Sequence, residues 1–168
     1  IVASMETVRY NLGMCFFVLG RFPEAREAFE DYLSVHRRGA HAMEVALFLG
    51  DAFRFDAMYA EAVRAYRNAL ETYAYTPDLA ADLHAGIARC FLAEERWADA
   101  LPHLSSVYRR APDADRRRWA ASLLAVSSLR EYDVDTVYRM MPVLLHPDSF
   151  AARSIALNLA ALETGDDL

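Results

Sequence analysis

The sequence predicts an all-α protein, a solenoid built from antiparallel helix pairs. Two observations carry the prediction. One pattern recurs three times with fixed internal offsets: Leu12-Gly13-x-x-Phe16 with Phe22, Ala25 and Phe29; Leu49-Gly50-x-x-Phe53 with Tyr59, Ala62 and Tyr66; and Ile87-Ala88-x-x-Phe91 with Trp97, Ala100 and Leu104. The copies lie 37 and then 38 residues apart, a period that marks stacked helix-turn-helix units. The turn formers Gly20, Thr76-Pro77-Asp78 and Pro112-Asp113 fall inside or between the copies rather than at random.

Each element follows in order. The first A helix is expected over 2–19, with Gly20 and Arg21 as the turn, and its B helix over 23–36, opened by Pro23 and the acidic Glu24. The second pair is expected over 41–55 and 59–74, closed by Pro77, with Asp78 capping the next helix. The third pair spans 79–93 and 97–110. Ala100 lies 12 residues before Pro112, whereas Ala62 lies 15 before Pro77. The first two B helices therefore run longer or end in a looser turn. After Pro112 the pattern fades: a helix over 114–131 with Trp119, Leu123, Leu124 and Leu129, a shorter one over 134–144, and a closing helix from 148 to about 164. In a degenerate fourth copy either Val134 and Tyr138, or Val137 and Met141, take the places of Ala100 and Leu104. The whole chain, 1–168, is expected to be one domain, with repeats at about 5–39, 40–77 and 78–112, a degenerate one at 113–147 and a closing helix at 148–165.

Small residues explain how the helices nest. Gly13, Gly50 and Ala88 on the A helices, and Ala25, Ala62 and Ala100 on the B helices, let the two arms of a hairpin approach closely. Phe16, Phe53 and Phe91 fill the space below them, and Phe22, Tyr59 and Trp97 seal the turn. Phe29 and Tyr66 point onward to the next repeat. Cys15 and Cys90 are expected to be small buried core residues, too far apart to bridge.

Composition bounds the function. At 168 residues and 55% hydrophobic content, the chain suffices for one cored domain and is not disordered. The apolar runs are too short for a membrane span. The chain starts at Ile1 without a signal peptide pattern, and is read as a piece of a longer polypeptide whose compartment, cytoplasmic or periplasmic, stays open. The net charge is -6 and all eighteen basic residues are Arg. A genome rich in Arg codons, or a use for guanidinium forks, accounts for that. Without Lys there is neither a Schiff-base lysine nor a P-loop lysine.

These residues resemble the tetratricopeptide repeat family, whose pattern W-x2-L-G-x2-Y, then A-x3-F, then P, is matched nearly in full by the first two copies. The third departs at Ile87-Ala88 and Leu104. The likeness covers about 6–112 well and 113–168 weakly, and the copies are longer than the family's usual 34 residues. Copies that end near Tyr-x-x-x-Pro are also similar to bacterial envelope repeat proteins of outer-membrane assembly and cell-division coordination. The resemblance implies a right-handed solenoid whose A helices line a concave face that takes an extended peptide or a partner helix. Tyr10, Met14, Phe17, Leu47, Asp51, Arg54, Arg89 and Leu92 are then the candidate groove residues, with packing against the next A helix as the alternative for Tyr10, Phe17 and Leu47. Family members that grip a terminal carboxylate use Lys and Asn where this chain has Tyr10 and Met14, which argues against that clamp.

Other chemistry finds little support. Arg109, Arg110, Arg116, Arg117 and Arg118 cluster around Pro112, but interleaved Asp113 and Asp115 compensate them and no aromatic platform lies among them, so nucleic acid is not expected. His36, His41, His84, His103 and His146 show no metal-ligand spacing, and Ser105, Ser106, Ser127 and Ser128 no nucleophile elbow. No enzyme activity, cofactor or metal is expected. The sequence points to a protein-binding scaffold; the alternatives are a self-association module using Trp119, Leu123, Leu124, Met140 and Met141, or an envelope assembly factor.

Overall fold

A computed structural model describes residues 4–73 and 76–130, together with 135, 136 and 139. Among them run seven helices: α1 (Met5–Val18), α2 (Phe22–Val35), α3 (Ala42–Phe55), α4 (Tyr59–Thr72), α5 (Pro77–Ala93), α6 (Trp97–Arg110) and α7 (Ala114–Arg130). The shorter helix expected over 134–144, the closing helix and both registers of the fourth copy lie outside the described residues. Each A helix packs against its own B helix, each B helix against the next A helix, and successive A helices α1, α3 and α5 touch directly. The chain is thus an all-α solenoid of hairpins.

The A-to-B turns share one construction. Each A helix ends in a Schellman motif: the Arg21 N–H donates to the Phe16 carbonyl at 2.9 Å, Met58 to Phe53 at 2.9 Å and Arg96 to Phe91 at 2.8 Å. The motif requires a left-handed residue, and Gly20, Ala57 and Glu95 take it with φ of 71°, 56° and 58°. Only the first is glycine, so the other two hold a conformation that opposes their Cβ.

The linkers resolve the unequal copy lengths. All three B helices have 14 residues, so the extra residues of the first two copies go into the connections after α2 and α4. One cap differs from expectation: α5 starts at Pro77, with the Thr76 hydroxyl accepting from the Leu79 N–H at 3.3 Å. Pro77 occupies the first-turn position that needs no N–H, which frees Asp78 for another partner.

Within the hairpins the small residues do what their size predicts. A methyl group on Gly13 would come within 2.5 Å of the Phe29 ring, and one on Gly50 would overlap the Tyr66 ring. Ala25, Ala62, Ala88 and Ala100 are fully buried. Phe29 stacks on Phe48 of the next A helix, centroids 6.3 Å apart, and Tyr66 lies against Gly86. The Tyr66 ring is therefore held between two glycines, one in its own hairpin and one in the next. Cys90 is buried in this core, but Cys15 is exposed, contrary to expectation. The slot is covered only where a preceding B helix lies on the A helix.

Candidate functional site

The candidate groove residues occupy three heights that recur on successive A helices: 10, 47 and 85; 14, 51 and 89; 17, 54 and 92. At this face Tyr10 and Phe17 meet α3 and Arg89 meets α7, so it forms a seam between successive A helices. Tyr10 stacks on His41 at the start of α3, centroids 4.1 Å apart and 14° between planes. Its hydroxyl pKa is raised by burial and by the neighbouring Glu44 carboxylate. Met14 and Phe17 pack on the core around Phe29 and Tyr32. Phe17 meets Phe48 edge-on at 5.1 Å and Phe55 at 5.9 Å.

On α3 the seam turns polar. Arg54 donates to the Asp51 carboxylate at 2.8 Å, and the Tyr66 hydroxyl donates to the same oxygen at 2.8 Å. Burial, reinforced by the Asp51 charge, pushes the Tyr66 phenol far above its ordinary range. Asp51 is therefore held as an acceptor, and Arg54, 4.2 Å over the exposed Phe55 ring, is already occupied by two contacts. Leu47 and Leu92 sit against the central core. Arg89 is the exposed member of the eight, its guanidinium 4.7 Å over Trp119 of α7. Packing against the next A helix thus accounts for Tyr10 and Phe17, Met14, Leu47 and Leu92 lie against the core, and Asp51, Arg54 and Arg89 carry the polar character of the seam.

The same seam continues as an ion-pair network. Arg116 of α7 reaches Asp78 and Asp82 of α5 as well as Asp113 below it, and these carboxylates hold its charge firmly. Arg118 pairs with Asp115, and Arg117 donates to the carbonyls of Ala111 and Pro112. Three of the five clustered arginines are engaged by their own turn and by α5.

Sequence reasoning missed one pair. His84 of α5 and His103 of α6 meet with their Nδ1 atoms 3.0 Å apart. Burial lowers both pKa values; for His103, the His84 and Arg67 charges add to this and bring it to about 4, and for His84, Arg110 and Arg109 contribute. No i, i+4 spacing reveals the pair. Hairpin symmetry does not reveal it either, because His84 lies 10 residues before Glu94 and His103 only 8 after Glu95. Among the described residues no group of three or more His, Cys, Asp or Glu is placed to hold a metal.

A family model described as tetratricopeptide repeat matches residues 6–42 and 49–115, more than half of the chain. The chain belongs to the tetratricopeptide repeat family. Tetratricopeptide repeats are scaffolds that mediate protein–protein interaction, and the family is not a catalytic one. No curated protein matches the chain. Among the described residues no helix is long and apolar enough to cross a membrane. In this tetratricopeptide chain the match ends where the copies lose their pattern, just past Pro112.

Proposed function

We propose that the chain is a scaffold that takes an extended peptide or a partner helix along the seam of its A helices. The observation that supports this most is an open apolar residue recurring at one height, exposed Val18 and Phe55, beside exposed Arg89 and the largely buried Asp51–Arg54 couple. A peptide of mixed character suits such a surface, with an apolar residue against Phe55 and an acidic one against Arg89. Arg54 contributes through its fixed ring stacking rather than as a free cation, because Asp51 already engages it.

Selection of a random peptide library on the intact chain tests this reading. Peptides enriched on the wild type are expected to lose at least tenfold in affinity on an Arg89→Glu, Phe55→Ser variant, whose melting temperature falls only modestly because Arg89 is exposed and Phe55 half exposed, the loss coming from the Phe55 ring contacts with Phe17 and Phe22. Peptides that bind the variant equally well would place recognition elsewhere.

A further inference from the structure

We infer that the outer face of α1 is a second docking surface, specific for an amphipathic helix of the same type as α2 and α4. This does not rest on the seam reading, although the two surfaces adjoin along α1 at Met14 and Val18. The argument comes from the periodicity of the hairpin-to-hairpin interface. At one set of positions α3 carries Ala42, Val45, Leu49 and Ala52, and α5 carries Ala80, Leu83, Ile87 and Cys90. Seven of these eight are at most 2% exposed, covered by the preceding B helix, and Leu49 is partly buried. The equivalent positions of α1 are Met5, Val8, Leu12 and Cys15, spaced as a heptad seam. Here Met5 is 66%, Val8 48% and Leu12 50% exposed, and Cys15 is open too. The face is thus a continuation of an interface the molecule builds twice, with its complementary helix lacking among the described residues.

The chemistry of the occupant follows from the interior copies. The covering helices present a small residue, an aromatic four residues on and a further core residue three beyond that: Ala25, Phe29 and Tyr32 in α2, and Ala62, Tyr66 and Ala69 in α4, all fully buried. One position differs. Where Asp56 closes α3 and pairs with Arg26 of α2 at 2.5 Å, α1 carries the exposed Leu19. The occupant of the α1 face therefore presents an apolar side chain where α2 has Arg26, as α4 does with Val63. A shallow depression of about 590 Å³ lies along the flank of this face, lined by its Cys15 and Leu19 together with Asn11, Met14 and Val18.

A synthetic helix of residues 21–36 carrying Arg26→Leu, stapled between the outward-facing positions 27 and 31, serves as the probe. The staple is needed because an isolated helix of this length is marginal in water, and α2 is used because its ring faces the bulky Phe48, whose place on α1 is taken by Asn11. Saturable binding to the full chain is expected, with at least a tenfold slowing of Cys15 alkylation, and both effects are expected to vanish in Val8→Asp, Leu12→Asp. Leu12→Asp alone replaces the double variant if the latter does not fold. Arg89→Glu should leave the protection of Cys15 intact, which separates this surface from the seam. The inference is overturned if the probe leaves Cys15 alkylation unchanged, if protection persists in the Asp variant, or if the chain alone forms a dimer that already shields Cys15, since the occupant would then be a second copy.

Discussion

The centre of the second hairpin and the seam between A helices are built from the same repeat by opposite means. At the centre, the Tyr66 ring is clamped between Gly50 and Gly86, and neither glycine has room for one more carbon. At the seam, contacts are made by half-buried polar groups, Arg54 with Asp51 and Arg116 with three carboxylates, and by exposed rings such as Phe55. Close packing of that kind tolerates no change of volume, whereas long side chains in partial contact with water rearrange at small cost. Stability therefore resides in the hairpin centres rather than at the seam or on the α1 face.

The sharpest way to break this contrast is Gly50→Ala. The added methyl overlaps a ring that cannot retreat toward Gly86, so a loss of about 1–3 kcal/mol or more is expected, read as a lower denaturant midpoint with unchanged slope. The same substitution in a Tyr66→Leu background should cost less; an equal cost in both backgrounds would mean the ring is not the obstacle.

A smaller effect concerns the His84–His103 pair. Both rings are held below their unfolded pKa, so the native state binds fewer protons than the unfolded chain between about pH 6.5 and, for His103, about 4. Stability from this pair is complete above that window and is lost as the pH falls through it. Discounted for partial exposure, the loss is on the order of 1 kcal/mol, about 2–4 °C in Tm. Thermal melts at pH 7.5 and 5 should show it in the wild type, and His84→Leu, His103→Leu should flatten the difference. The smallest effect is at the turns: Ala57→Gly removes the left-handed strain that Gly20 never had, and is expected to raise stability by up to about 1 kcal/mol. A drop in Tm would show that the Ala57 methyl makes a contact worth more than its strain.

The repeat, the paired helices and the close approach of the hairpin arms at Gly13 and Gly50 were legible because they depend on local spacing; that Phe29 and Tyr66, expected to point onward, also lie against the glycine of their own hairpin was not. Residues equidistant from a turn on antiparallel arms must meet, whatever the rest of the chain does. That rule does not find His84 and His103, which stand 10 and 8 residues from the Glu94-Glu95 turn. The burial of Cys15 was misjudged for the complementary reason: an identical slot in the sequence is buried at Cys90 and open at Cys15, because burial is a property of the neighbour rather than of the slot. The cap of α5 was expected at Asp78 and is Thr76, while Asp78 pairs with Arg116.

The sequence by itself thus determined the fold class, the hairpin period and which small residues sit where the arms approach, since each is set by side-chain size at a fixed offset along the chain. Only the tertiary structure decided which faces remain uncovered, that Arg54 is spoken for by Asp51 while Arg89 is open, and that α1 repeats an interface without its cover. Those outcomes depend on how whole hairpins are placed against one another, a rigid-body relation that no residue spacing encodes.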